Sequence, residues 1–175
     1  ARLDWHLSLG LGAEKYRYHD HLKLAHYANA ACDIEHRFPF GFKELEGIHS
    51  RTDFDLKQHE SFSGKKLQYF DPELNESYVP YVVETSVGLD RLFLATMSNA
   101  LKEEEVKDAQ GESTTRTVLS LPPVLAPIKA AILPLVRTDS ELTDKARAIF
   151  NQIKFSHLCQ YDEKDAIGRR YRRQD

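Results

Sequence analysis

Apolar positions along this chain change period several times, and each change predicts a different element. In RLDWHLSLGLG, Leu3, Leu7 and Leu11 recur at helical spacing and meet Gly10 and Gly12, which predicts a short helix ending in a turn. YRYHDH fits a strand or a loop. HLKLAHYANAACDIEHRF opposes an alanine-rich face to a charged one and predicts mostly helix, although its later part, CDIEHRFPF, also reads as a strand. Past Pro39 and Gly41, FKELEGI puts Phe42, Glu44, Glu46 and Ile48 on one face if extended, so that two carboxylates point the same way. Arg51 to Leu74 is polar and interrupted by Gly64 and Pro72, which predicts a long connection or a small hairpin.

The sharpest handover lies in YVVETSVGLDRLFLATM. YVPYVVETS is β-rich, and LDRLFLATMSNALKEEE carries Leu89, Leu92, Phe93 and Met97 on one helical side, so a strand passes into a helix at Ser86–Gly88. Glu84, Ser86, Gly88, Asp90 and Arg91 sit at that junction, where packed elements on both sides can hold polar groups against a small ligand. Lys102 to Thr115 has the composition of a connector. A second unit then opens with LSLPPVLAPIKAAILPLV. A strand in AAILPLV, a helix in SELTDKARAIFNQIKF with Ser140 as its cap, and a further strand in HLCQY begin a β–α–β alternation.

Composition narrows the classes. The 41% hydrophobic content over 175 residues permits one sizeable core or two modest ones. With 24 Lys and Arg against 27 Asp and Glu, the formal charge of -3 predicts no general affinity for polyanions, so nucleic acid must be met by a local surface. Two cysteines, Cys32 and Cys159, are too few for a disulfide framework or a thiolate metal site and suggest a reducing compartment. No run approaches the roughly twenty apolar residues that cross a bilayer, and Ala1–Leu11 lacks the order of a secretory signal. A cytoplasmic, non-membrane protein is expected.

Glu84 and Ser86 are two apart in a strand and share a face, with Glu44 and Glu46 on a neighbouring strand. Such groups suit an amine, or a divalent metal held against phosphate oxygens. A solvated carboxylate face is the alternative, and Arg91, with its planar permanent charge, shifts the balance toward phosphate or a base. His19, His21 and His26 have no zinc-motif spacing and read as surface or packing groups, and Cys32 reads as buried filler. Arg169, Arg170, Arg172 and Arg173, interrupted by Tyr171, combine charge with a stacking ring and suit RNA, or else form a solvated terminal face.

GLDR followed by LFLA resembles the third signature of class II aminoacyl-tRNA synthetases. The longer strings FPFGFKELEGIHSRTDFDL and YVPYVVETSVGLDRLFLA resemble glycyl-tRNA synthetases of the bacterial homodimeric type, and LPPVLAPIKAAILPLV and YDEKDAIGRRYRRQD resemble the opening half of that family's anticodon-binding domain. The resemblance covers nearly the whole chain. It implies an α+β fold: the C-terminal part of the class II antiparallel catalytic sheet with helices over 1–101, a linker over 102–117, and an incomplete α/β anticodon-binding domain over 118–175. It implies that Glu84 and Ser86 line a glycine pocket and that Glu44 and Arg91, with Glu46 and Gly88 as companions, meet ATP. Glu44 is Mg2+-proximal in that reading. It further implies glycine, ATP and tRNA(Gly) as substrates, tRNA contacts from Arg169 to Arg173, and a homodimeric parent enzyme. The family's first two signatures are not in these 175 residues, so this chain alone is expected not to aminoacylate. A noncatalytic RNA-binding or protein-interaction module reusing the scaffold is the reading from a different class.

Overall fold

The computed structural model describes residues 1–107 and 111–174 and resolves into two compact units, one of Ala1–Leu7 with Leu11–Ser98, the other of Ser8–Gly10 with the residues from Asn99 onward. It is a mixed α and β chain dominated by antiparallel pairing. Among the described residues no helix is long and apolar enough to cross a membrane.

The first unit opens with helix α1 (Arg2–Ser8) and builds a four-stranded sheet from β1 (Tyr16–Asp20), β2 (Ala30–Phe38), β3 (Gly41–Ser50) and β6 (Val83–Val87), in the order β1-β2-β3-β6 with every pair antiparallel. Between β3 and β6 run helix α2 (Phe54–Ser63) and a hairpin of β4 (Tyr69–Asp71) and β5 (Glu76–Tyr78). Helix α3 (Leu89–Ala100) follows β6 directly. The short helix at the start, the strand in FKELEGI and the strand-to-helix handover agree with the sequence reading. The alanine-rich helix does not form: residues 21–29 have no helix, and Ala30–Phe38 is an interior strand. Pairing on both edges and burial of Ile34, His36 and Phe38 on one face outweigh the modest helix preference of its alanines.

Register decides which side chains share a face. A shift between Ile34 and Glu35 makes β3 carry one extra residue, so Glu35 pairs with Glu44 while Ile34 pairs with Glu46. Glu44 and Glu46 therefore lie on opposite faces, which corrects the expectation that both carboxylates point the same way. On the inner face Glu46 is fully buried, accepting Arg2 Nη2 at 2.9 Å and His6 Nε2 at 2.6 Å from α1, with a further bond from Arg2 Nε. Burial pushes its carboxyl up, but the hydrogen bonds and charges of Arg2 and His6 outweigh that and hold it below its ordinary value. His36, also fully buried, is pushed down to about 4 by burial and by the charges of Lys15 and His6, so it is neutral in the fold.

The second unit holds a hairpin of β7 (Leu101–Lys107) and β8 (Ser113–Leu119), then a parallel pair of β9 (Ala130–Ile132) and β10 (Cys159–Tyr161) joined through helix α4 (Ser140–Ile153), and ends in α5 (Ile167–Arg172). The β–α–β alternation is as the pattern predicted. The stretch expected as a linker, 102–117, instead carries most of the hairpin, and its residues 108–110 lie outside the described residues. Cross-strand pairing of Glu104 with Arg116, whose charges meet at 3.0 Å, and of Lys102 with Val118 draws the charged run into a strand rather than extending α3. Asp139, not Ser140, caps α4, accepting Leu142 N at 3.2 Å.

Candidate functional site

Antiparallel partners share a face, so the register of the first unit reads directly as a map. One transverse row runs His19, Asp33, Gly47, Ser86, and the next runs Ala31, His49, Glu84. Glu35 is two residues from Asp33, and its partner Glu44 continues the same face toward one end of the sheet. Glu44, Ser86 and Glu84 thus stand on one polar face, opposite the face that buries Ile34 and Glu46.

Glu84 is held by a clamp. Its Oε2 accepts Arg51 Nη1 at 2.5 Å, while Arg51 Nε and Nη2 bind the two oxygens of Asp55 at 2.6 and 3.2 Å, and the guanidinium lies 4.1 Å from the Tyr27 ring centre. The bonds to Asp55 and Glu84 hold the Arg51 pKa above its ordinary value, and Arg51 in turn holds Asp55 below its own. Arg51 is thereby an orienting group for the strand carboxylate.

At the end of the sheet, Arg91 in the first turn of α3 donates Nη1 to the Glu44 carbonyl at 2.8 Å and lies 3.3 Å from Glu44 Oε2, both side chains about half exposed. Beside them is a cavity of about 490 Å³ lined by Phe38, Phe40, Lys43, Glu44, Arg91 and Leu94. The Phe38 and Phe40 rings stack at 5.3 Å. Neither phenylalanine was singled out from sequence, although an aromatic pair around Pro39 is a visible signal. Glu84 and Ser86 are not among this cavity's lining, so the structure brings Glu44 and Arg91 together and leaves Glu84 and Ser86 further along the same open face. Gly88 joins the two, its N–H reaching Leu45 O at 3.4 Å, and a Cβ there would first meet Arg91, at an ordinary 3.6 Å. Glu46, expected beside ATP, is instead committed to α1 in the core. No group of three or more His, Cys, Asp and Glu among the described residues could hold a metal ion, so a fully protein-bound metal cage is not built here.

The arginine cluster divides. Arg170 is 2% exposed and donates from Nη1 to Pro134 O and from Nη2 to Leu135 O at 3.4 Å. Arg173 binds Asp162 at 2.6 Å and Asp165 at 2.9 Å. Arg170 is structural, which corrects its reading as a solvent-facing RNA contact, while Arg169, Tyr171, Arg172 and the ion-paired Arg173 remain exposed. Replacing Arg170 by alanine is expected to cost about 2–3 kcal/mol by stranding buried carbonyls, against less than about 0.5 kcal/mol for Arg169→Ala, as read by urea unfolding.

No family model matches the chain. Curated proteins do. A glycine–tRNA ligase of Geobacillus thermodenitrificans is 52% identical over 98% of this chain, one of Chlorobaculum tepidum 49% identical over 99%, and one of Staphylococcus aureus 49% identical over 98%. In each case the match covers 36% of the relative, so the chain spans about a third of the length of these proteins. Over nearly all of its own length, therefore, this chain is a homologue of a segment of the glycine–tRNA ligases, the family that its own motifs resemble.

Proposed function

We propose that this chain is the portion of a glycine–tRNA ligase that carries one side of the glycine and ATP sites and opens the anticodon-binding domain. In that reading the first unit is the C-terminal part of a class II catalytic sheet and the residues from 118 onward begin the α/β anticodon-binding domain. The observation that carries it is the single polar sheet face on which Glu84 and Ser86, then Glu44 with Arg91, follow one another toward the cavity. The identity to proteins named glycine–tRNA ligase supports the choice of substrates.

The glycine ammonium lies against Glu84 and Ser86, a charge-assisted contact whose carboxylate is held in place by the Arg51 clamp. Smallness is enforced by exclusion, because a wall close to the α-carbon rejects any side chain by clash. Arg91 lies along the nucleotide, by stacking on the base and by neutralising phosphate. A glycine carboxylate oxygen attacks the α-phosphorus of ATP, pyrophosphate leaves, and a terminal ribose hydroxyl of tRNA(Gly) then attacks the glycyl carbonyl and expels AMP. Positioning and fixed charge carry both steps without a covalent protein intermediate. Mg2+ is usually held by one or two carboxylates together with phosphates; Glu44 would be the residue of this chain that holds it, and there it would neutralise phosphate charge. A homodimeric, cytoplasmic parent completes the proposal, with Arg169, Tyr171 and Arg172 facing tRNA.

The test is ATP–pyrophosphate exchange by the complete protein that carries this segment. Exchange is expected to require glycine, and Arg91→Ala is expected to lower kcat/KM for ATP about 10- to 100-fold with a smaller effect on the glycine KM. Glycine-independent exchange, or an Arg91 variant with unchanged ATP parameters, removes the proposal.

A further inference from the structure

We propose that the His49 ring is the wall that limits the amino-acid subsite to glycine. The proposal rests on the glycine reading of Glu84 and Ser86, and it gives that subsite a side on β3. Both groups are open to solvent: Ser86 is exposed, and the Glu84 side chain is 36% exposed. Glu84 is the direct cross-strand partner of His49, and Ser86 is that of Gly47. Directly paired residues of an antiparallel sheet have their Cβ atoms about 4.5–5.5 Å apart, so a small molecule held by Glu84 and Ser86 on β6 meets residues 47 and 49 on β3.

One side chain fills both of those positions. A Cβ built on Gly47 would lie 3.0 Å from His49 Cε1 and 3.5 Å from His49 Nδ1, so the imidazole occupies the space that a side chain at 47 would take. Glycine is what lets the ring lie back along its own strand. It is also braced: the His21 ring meets it edge to face with centres 6.0 Å apart, and Asp33 Oδ2 accepts His21 Nε2 at 2.7 Å. Among the described residues the His49 ring makes no hydrogen bond of its own, so packing on Gly47 and His21 sets its place, and what it offers the open face is bulk. His49 itself is part-exposed, which leaves one edge of that bulk available to a ligand. With the ammonium held on β6, the substrate α-carbon faces β3, and a side chain on it runs into the imidazole. Glycine alone has none to clash.

The experiment compares His49→Ala, His49→Phe and Glu84→Gln with the parent, in the complete protein, by pyrophosphate exchange with glycine and with alanine. His49→Ala is expected to raise kcat/KM for alanine relative to glycine at least about tenfold, the discrimination one methyl group carries, while His49→Phe, which keeps the bulk of the ring, stays within about threefold of the parent. An unchanged ratio in His49→Ala overturns the proposal. So does a rise in His49→Phe equal to that in His49→Ala, which would trace the selectivity to the imidazole's polarity and not to its size. If Glu84→Gln leaves the glycine KM unchanged, the glycine reading itself fails; if Glu84→Gln raises it and His49→Ala leaves the ratio unchanged, only the wall fails. Should His49→Ala not fold, His49→Ser carries the same test, with the same rise expected and an unchanged ratio again rejecting the wall.

Discussion

Replacing Glu84 by glutamine in the complete protein is expected to lower kcat/KM for glycine about 100-fold while changing the ATP KM less than about threefold. The amide keeps the shape of the side chain and loses its charge, so the loss measures the attraction between carboxylate and ammonium rather than packing. Arg51 makes the expected effect large. A free glutamate on an edge strand would spend side-chain entropy to meet its ligand, whereas here Asp55 and Tyr27 fix the guanidinium and the guanidinium fixes Glu84. Arg51→Lys, which keeps the charge and discards the planar fork, is accordingly expected to raise the glycine KM about tenfold. Steady-state exchange kinetics at saturating ATP read both effects. A Glu84→Gln protein that uses glycine as the parent does would show that this strand carboxylate never meets the substrate.

Replacing Glu46 by alanine is expected to cost about 3–5 kcal/mol of stability, because it removes the buried anion to which Arg2 and His6 are committed. The pH dependence separates this carboxylate from its neighbour His36. His36 is held down to about 4, below its ordinary value near 6.5, so between those values the unfolded chain binds a proton that the folded chain refuses, and stability falls as the pH drops through that window. Glu46 is also depressed. Its contribution is complete above the ordinary carboxylate value of about 4.3 and is lost only as the pH falls through its lower folded value. Denaturant unfolding from pH 7 to 3 is therefore expected to show two successive losses in the parent, with Glu46→Gln keeping the first and losing the second. A Glu46→Gln protein with an undiminished second loss would place the acid sensitivity elsewhere.

Several particular elements were legible in the residues. The period-2 run of FKELEGI, the strand-to-helix handover at Ser86–Gly88 and the amphipathic SELTDKARAIFNQIKF all form as their spacing predicts, since each pattern has one face to bury and a neighbour to bury it against. Others were decided against local preference. Lys-Glu-Glu-Glu after α3 reads as more helix, yet it pairs with the β-branched STTRTVL across a hairpin. HSRTDFDLKQ reads as a connection, yet residues 54–63 are helical with Gly64 closing the end in the left-handed region.

For the site, the chain order alone determined that Glu84, Ser86, Gly88 and Arg91 would be gathered where a strand becomes a helix, because alternation along a strand and the first turn of a helix are local geometry. The tertiary structure decided what surrounds them. One extra residue in β3 sends Glu46 into the core and leaves Glu44 on the polar face, and no reading of FKELEGI by itself can reveal a bulge set by its partner strand. Pairing likewise puts Asp33 beside Gly47 and Ser86 from positions far apart in sequence, and folding turns Arg170 inward from a run of four similar arginines. Side-chain periodicity is encoded within a segment; register and burial belong to pairs of segments and exist only once the sheet is assembled.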